Sequence, residues 1–203
     1  MLIRKTSLTL LLFSYSKQIF VQVIETESSN MATSKSKHEP SRKNLNECIN
    51  TVVNSLYGTD FKLTQEQRKC IESFVCGQDT IAILPTGHGK SLIYQMTPNV
   101  LSELSKKGLG DFPDQPILIV ICPLNYLMKE QVERCKAFNP AFSLNADITD
   151  TDFEKVKKGE FNFLFSSPEV LLEDKWRQLF LSDVYQKNVI GVIVDECHTV
   201  VKW

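Results

Sequence analysis

The sequence predicts an α/β fold, a doubly wound and mostly parallel sheet with helices on both faces. Continuous apolar runs rich in β-branched residues occupy positions 80–84, 117–121 and 189–194, and such runs are typical of buried strands. Segments with apolar residues at helical spacing separate them, which favours parallel strands joined by crossover helices. The first and last runs each end in a polar motif, at the edge where open α/β sheets bind ligands.

The individual elements follow from local patterns. Apolar residues recur at helical spacing within 46–57, and Gly58 ends that helix. Pro98 must bend or end the helix that begins near Ser91. The predicted order is helix 46–57, helix 64–75, strand 80–84, a helix from Ser91, strand 117–121, helix 124–138, strand 142–144, helix 151–158, strand 161–165, helices after Pro168 and strand 189–194.

The composition excludes an overall electrostatic attraction to nucleic acid, because the formal net charge of the 203 residues is −1. Any such contact must be local, and the lysine pairs at 106–107 and 157–158 are interpreted as solvated surface. With 42% hydrophobic residues, the chain can bury one ordinary core. The six cysteines show neither a C-x-x-C motif nor metal-ligand spacing, so reduced core thiols are predicted.

The first 45 residues are predicted to lie outside the folded domain, which spans 46–203. Residues 1–23 are basic and hydroxyl-rich, and their apolar run at 8–13 is too short to span a bilayer, so no membrane partner is expected. They form either an inert leader or an organelle address, with Met31 as an alternative start. Residues 26–45 have almost no apolar content and are interpreted as a disordered tether.

A phosphate-binding loop is predicted directly after the strand at 80–84. Glycines there let several backbone N–H groups point at one anion, and the following helix adds the positive end of its dipole. Lys90 can reach the β- and γ-phosphates, while the Ser91 hydroxyl can ligate Mg²⁺. The generic pattern has a glycine where Leu84 stands, and a plain glycine turn is the alternative. The predicted nucleotide-binding residues here are Thr86, Gly87, His88, Gly89, Lys90 and Ser91.

Adjacent carboxylates at the end of the run 189–194 form the second motif. Asp195 and Glu196 would repel each other unless a cation lies beside them. Asp195 is therefore predicted to orient Mg²⁺, and Glu196 to polarise the water that attacks the γ-phosphate. His198 is then placed to couple the nucleotide site to a facing domain. The alternative is a solvated acidic turn with a stray histidine.

Together these motifs resemble those of the RecQ family of superfamily 2 DNA helicases. DEAD-box RNA helicases fit less well, since their P-T-R-E-L and T-P-G-R segments do not occur in the chain. The resemblance covers about 46–203 and implies the first of two RecA-like domains, with ATP and Mg²⁺ driving 3′-to-5′ DNA unwinding. The segments that resemble the family's motifs are 85–91 (P-T-G-H-G-K-S, the helicase variant P-T-G-x-G-K-S), 90–95 (K-S-L-I-Y-Q for the family's K-S-L-x-Y-Q), 122–132 (C-P-L-N-Y-L-M-K-E-Q-V for S-P-L-x-x-L-M-x-D-Q-V), 167–169 (S-P-E for A-P-E) and 195–203 (D-E-C-H-T-V-V-K-W for D-E-A-H-C-x-S-Q-W).

The resemblance also implies a glutamine that reads the adenine edge. Gln67 stands at the family's distance from Gly77 and Lys90, whereas Gln65 copies only the local pattern around Phe61. Gln67 is therefore favoured for the adenine role. Thr64 and Gln67 also form the pattern of a capping box, and one glutamine can serve both purposes.

Nucleic-acid contacts are implied at four positions, Pro123, Asn145, Ser167 and Trp203. Segments 122–123 and 167–169 follow strand ends and would meet the sugar-phosphate backbone through main-chain N–H groups. Trp203 stands where the family begins an aromatic-rich loop that senses single-stranded DNA. Its alternative is a tryptophan that packs on the sheet edge. The implied partner is single-stranded DNA or a junction of single and double strands.

The resemblance further implies a second RecA-like domain that these 203 residues do not contain. Its arginine finger would be worth about 10³–10⁵ in rate, so the chain alone is expected to bind ATP–Mg²⁺ weakly and hydrolyse it very slowly. Two alternatives stay open: a nucleotide-switched DNA-binding module from a short isoform, and a translocase that does not separate strands. The expected location is the nucleus, or the mitochondrion if residues 1–30 are a presequence.

Overall fold

Within the residues that the structure describes, six parallel strands form one sheet. The computed structural model describes residues 19–23, 40–85, 87–122, 125–145 and 148–195. The strands are β1 (Ile19–Val23), β2 (Thr80–Ile83), β3 (Ile117–Ile121), β4 (Ala141–Ser143), β5 (Phe163–Ser166) and β6 (Val189–Val194). The helices are α1 (Arg42–Tyr57), α2 (Gln65–Val75), α3 (Lys90–Lys106), α4 (Asn125–Lys136), α5 (Asp150–Lys157), α6 (Pro168–Leu171), α7 (Asp174–Phe180) and α8 (Asp183–Asn188). None of these helices is long and apolar enough to cross a lipid bilayer.

The strand order across the sheet is β2-β1-β6-β3-β5-β4. Strand β3 sits inside it, with Val120 opposite Ile193 of β6 on one side and Phe165 of β5 on the other. Helices connect the strands β2 to β6 in turn, which confirms the predicted alternation. Because all the strands are parallel, their carboxyl ends lie along one side of the sheet, here called the carboxyl edge.

A hydrophobic core lies on each face of the sheet. Leu118 and Val120 of β3 join the first core, whereas Ile117, Ile119 and Ile121 join the second, as the alternation of side chains along a strand requires. The first core takes further side chains from α1, α2, α3 and α4. The second takes them from α5, α6, α7 and α8. Helices on both faces confirm the doubly wound α/β prediction.

The observed helix ends depend on caps and on burial. Helix α1 begins before the predicted residue 46, because the Ser41 side chain accepts a hydrogen bond from the Asn44 N–H at 3.4 Å and caps the helix. Helix α3 continues through Pro98, so the proline does not end it. Proline removes one backbone donor, but Val100 and Leu104 beyond it are completely buried, and this packing holds the second half of the helix.

Strand β2 differs from the prediction of a buried strand. Thr80 and Ala82 are buried, whereas Ile81 is 56% and Ile83 is 48% exposed. The physical reason is the position of β2 at the edge of the sheet, where Ala82 joins the first core and the opposite face of the strand is open to solvent. An apolar run alone does not distinguish a central strand from an edge strand with one open face.

Strand β1 comes from residues that were predicted to belong to the leader. It lies between β2 and β6, with Phe20 opposite Thr80 on one side and Ile193 on the other. This strand was not predicted, since its five residues belong to the segment 1–23, which was interpreted as an inert leader or an organelle address. The remainder of the leader and most of the tether, 1–18 and 24–39, lie outside the described residues, and the domain boundary at residue 46 stays a prediction.

Candidate nucleotide and nucleic-acid site

The predicted phosphate loop connects the end of β2 to the start of α3. The His88 N–H donates to the Pro85 carbonyl at 3.2 Å, which closes a turn between strand and helix. Gly87 and Gly89 have φ angles of +81° and +67°, a conformation that glycine adopts without strain. Gly89 is the N-cap residue of α3 and no side chain caps the helix there, so the first-turn N–H groups are directed at the loop. This arrangement suits an anion. Thr86 lies outside the described residues.

Lys90 is a buried cation at the first position of α3. It is only 7% exposed, and its ammonium donates to the carbonyl of Leu84 at 3.4 Å. An ammonium group has three donors, and a buried charge is stable only when it is paired and hydrogen-bonded. A single neutral carbonyl at this distance, the one acceptor that the described residues give it, is a poor counterpart. Phosphate oxygens beside the loop would supply the negative charge that Lys90 needs.

Asp195 lies at the carboxyl edge directly after β6. Its N–H donates to the carbonyl of Ile121 at 2.9 Å, which fixes it beside the end of β3. The residue is 5% exposed, and the Cys122 thiol donates to its carboxylate at 3.8 Å. A fixed, buried carboxylate is an oxygen ligand of the kind that Mg²⁺ prefers. Its predicted partner Glu196 and the coupling residue His198 lie outside the described residues.

Tyr94 is a buried tyrosine on α3, three residues after Ser91. It is 1% exposed, and burial, followed by the negative charge of Asp195, raises the pKa of its hydroxyl well above the usual range. A hydrogen bond with Ser91 acts on the same pKa in the opposite direction. The Tyr94 hydroxyl itself donates to the Gln131 carbonyl at 3.2 Å. Both predicted Mg²⁺ ligands thus influence the pKa of one buried hydroxyl.

A glutamine on α4 belongs to this cluster and had been given no role from the sequence. The Gln131 amide donates to the Ser91 hydroxyl at 3.1 Å, and its carbonyl accepts from Tyr94 at 3.2 Å and from Gln95 at 3.3 Å. A signal for it exists in the sequence, because Gln131 lies four residues before Cys135 on the inward side of a predicted helix. A polar residue on an apolar helix face calls for a buried partner.

Gln67 contacts the phosphate loop rather than open solvent. Its carbonyl accepts from the Thr64 N–H at 2.9 Å, while the Thr64 hydroxyl accepts from the Gln67 N–H at 3.2 Å, which confirms the capping box. The amide nitrogen donates to the carbonyl of His88 at 2.9 Å. Gln67 thereby ties the start of α2 to the loop. Both ends of its side-chain amide are engaged within the protein, and the adenine role stays a prediction.

The described nucleic-acid candidates lie along the same carboxyl edge, on the side of the sheet away from β2. Ser167 follows β5 and caps α6, its hydroxyl accepting from the Val170 N–H at 3.5 Å. Asn145 follows β4, is exposed, and lines a cleft of about 310 Å³ with Lys136 and Asp152 among its other lining residues. The nucleic-acid role of Ser167 and Asn145 stays a prediction. Pro123 and Trp203 lie outside the described residues.

The described part of the site fits a magnesium-bound nucleoside triphosphate. The Ser91 hydroxyl and the Asp195 carboxylate are hard oxygen ligands, and Lys90 supplies the positive charge for phosphates. The loop is also shaped for close approach, because a Cβ atom built at Gly89 would lie 2.7 Å from the amide nitrogen of Gln67. Side chains are therefore excluded where backbone N–H groups would meet an anion.

Comparison with known proteins agrees with this site. The DEAD/DEAH box helicase family model matches residues 64–203. The ATP-dependent DNA helicase Q-like 5 of Arabidopsis thaliana is 31% identical over 172 residues, which cover 82% of this chain and 16% of that protein. The probable ATP-dependent DNA helicase RecS of Bacillus subtilis is 31% identical over 71% of this chain and 26% of its own length. The ATP-dependent DNA helicase RecQ of Haemophilus influenzae is 30% identical over 75% of this chain and 23% of its own length.

The family match includes the phosphate loop, Asp195 and all the strands except β1. The chain spans about a quarter or less of the length of these relatives. Their names are those of RecQ-type helicases, as the sequence motifs indicated. The protein thus belongs to the DEAD/DEAH box helicase family, with a RecA-like α/β domain and RecQ-type DNA helicases among its relatives.

Proposed function

We propose that this chain is the ATP-binding part of the motor of an ATP-dependent DNA helicase. Lys90 would hold the β- and γ-phosphates, and the loop of Thr86, Gly87, His88 and Gly89 would surround them, with the His88 N–H keeping the turn closed through Pro85. Ser91 and Asp195 would hold Mg²⁺, which supplies charge stabilisation during phosphoryl transfer. Glu196 would orient and polarise the attacking water.

The buried ammonium of Lys90 at the end of a glycine loop is the observation that carries this proposal. It is 7% exposed and its acceptor among the described residues is the neutral carbonyl of Leu84 at 3.4 Å, while Gly87 and Gly89 have positive φ angles. The buried carboxylate of Asp195, at the carboxyl edge of the same sheet, adds a second reason. A polyphosphate with its cation would satisfy both charges at once.

The finer residue roles are taken from the RecQ family and assigned to the positions of this chain that match its motifs. Gln67 would read the adenine edge, which requires its amide to change partners when nucleotide binds. His198 would couple the nucleotide site to a second RecA-like domain. Movement along DNA would run 3′ to 5′, with contacts at Pro123, Asn145, Ser167 and Trp203. Single-stranded DNA or a single/double-strand junction would be the substrate.

Nucleotide binding by the 203-residue chain is the direct test. A fluorescent ATP analogue is titrated into the wild type, Lys90→Ala and Lys106→Ala in the presence of Mg²⁺. We expect Lys90→Ala to abolish detectable binding, since each hydrogen bond to a charged group is worth about 1.5–3 kcal/mol. Lys106→Ala should bind as the wild type does, because Lys106 is exposed in the last turn of α3.

Turnover is tested in a longer chain that carries the second RecA-like domain. There we expect Glu196→Gln to bind the analogue normally and to lose DNA-stimulated hydrolysis. Hydrolysis that survives in Glu196→Gln or Lys90→Ala would contradict the assigned roles. Normal binding without any hydrolysis in the wild type would instead indicate a nucleotide-switched module, and hydrolysis without strand separation would indicate a translocase.

A further inference from the structure

The side-chain amide of Gln131 joins α4 to the first turns of α3. Its nitrogen donates to the Ser91 hydroxyl at 3.1 Å. Its oxygen accepts from the Tyr94 hydroxyl at 3.2 Å and from the Gln95 amide at 3.3 Å. All of these partners belong to the helix that begins at the phosphate loop. Gln131 is thus the point at which α4 contacts the polar side of α3.

The orientation of this amide is set by its partners. The Tyr94 hydroxyl and the Gln95 amide nitrogen both donate to one end of the Gln131 side-chain amide. That end is therefore assigned as the carbonyl oxygen, which accepts hydrogen bonds, and not as the nitrogen, which donates them. The amide N–H must then face Ser91. Tyr94 is 1% and Gln95 7% exposed, so these bonds lie in a region of low dielectric where they hold the amide firmly.

The consequence for Ser91 is a defined lone-pair arrangement. A serine hydroxyl has two lone pairs, and the Gln131 N–H occupies one of them. The other lone pair remains for a cation. A hydroxyl that rotates freely would have to be ordered by the cation itself, at an entropic cost that Gln131 removes.

We infer that Gln131 is a positioning residue for magnesium, which holds the Ser91 hydroxyl ready to coordinate the cation of a bound nucleotide. This inference rests on the proposed function, because it assumes that Ser91 binds Mg²⁺. Groups that orient metal ligands typically change metal affinity by 10–100-fold when they are removed. Here the phosphates share the cation, so the lower end of that range, about tenfold, is expected.

The test compares nucleotide affinity with Mg²⁺ and with EDTA. The fluorescent ATP analogue is titrated into the wild type, Gln131→Met, Ser91→Ala and the double variant, with Lys129→Ala as a control on the exposed side of α4. We expect the ratio of the two affinities to fall about tenfold in Gln131→Met, while the affinity in EDTA stays unchanged. The double variant should show the same ratio as Ser91→Ala alone, because Gln131 acts through Ser91.

Other outcomes would overturn the inference. Equal losses with Mg²⁺ and with EDTA in Gln131→Met would mean a structural role only, and additive effects in the double variant would mean that Gln131 acts without Ser91. A wild type that binds nucleotide equally well with and without Mg²⁺ would remove the metal role of Ser91 as well. If Gln131→Met does not fold, Gln131→Asn tests the same claim, because it keeps the amide but withdraws it from Ser91 by one methylene.

Discussion

Replacing Gly89 with alanine tests how closely the phosphate loop packs against α2. Gly89 has φ +67° and ψ 36°, so alanine would be held in the left-handed region at a cost of roughly 1–2 kcal/mol. A Cβ atom there would also lie 2.7 Å from the amide nitrogen of Gln67. That amide can retreat only by breaking its hydrogen bonds to His88 and Thr64, each worth about 0.5–1.5 kcal/mol. The expected total loss of stability is about 2–5 kcal/mol.

Gly87→Ala is the matched control. Its φ is +81°, but no described atom lies within 4 Å of a Cβ placed there. Both alanine variants therefore hold alanine at a positive φ, at a similar cost in free energy, and both reduce the conformational entropy of the unfolded chain by a similar amount. We expect Gly89→Ala to be less stable than Gly87→Ala by about 1–3 kcal/mol, which isolates the contact with Gln67.

Urea denaturation without nucleotide measures both free energies of unfolding. Adding Gln67→Ala to Gly89→Ala removes the side chain that the new methyl group would meet. The two losses should then be less than additive, since neighbouring residues share one interaction. Equal stabilities of the Gly87 and Gly89 variants, or full additivity with Gln67→Ala, would refute the packing of the loop against α2.

Two further predictions concern stability. A chain of residues 31–203 should be less stable than the whole chain by a few kcal/mol, because it lacks β1, the one strand that pairs with β2 among the described residues. Each backbone hydrogen bond lost with β1 is worth about 0.5–1.5 kcal/mol. Equal urea midpoints of the two chains would contradict this. Burial raises the pKa of Cys70 to about 11 and of Cys135 to about 12, above the ordinary value of 9.0. The unfolded state therefore loses these protons first, and the free energy of unfolding should fall as pH rises from about 9 to about 12. In Cys135→Ala the free energy of unfolding should fall less steeply with pH than in the wild type. Urea titrations at several pH values measure this, and the same pH dependence in both proteins would contradict the role of Cys135.

The central strands and the phosphate loop could be predicted from the sequence because their signals are local. Strands β3 and β6 have the predicted bounds, since each is an uninterrupted apolar run between breakers. The capping box at Thr64 and Gln67 was likewise predicted from residues three apart. Burial on both faces of a sheet and a helix cap each leave a pattern within a few residues.

Features that depend on distant parts of the chain could not be predicted. Nothing near Ile81 shows that β2 is an edge strand, because this depends on how the strands are ordered across the sheet. Nothing in Ile19–Val23 distinguishes a strand from an apolar leader until β2 and β6 offer a place between them. The link from Gln131 to Ser91 spans 40 residues and depends on the packing of one helix against another. Periodicity marks Gln131 as a polar residue on an inward helix face, but it does not say which residue is its partner.

The geometry of the metal ligands depends on how α3 sits on the sheet. Ser91 moves with α3, whereas Asp195 is fixed to the sheet by its hydrogen bond to β3. Tyr94 lies three residues after Ser91 on the same side of α3, and its ring meets that of Phe163 on β5 edge to face with centroids 6.4 Å apart. Because this contact is completely buried, a shift of α3 that separated Ser91 from Asp195 would also have to open the first core. The position of Ser91 over the sheet is therefore maintained by apolar packing beneath the site, and Gln131 adds the polar contact that orients its hydroxyl.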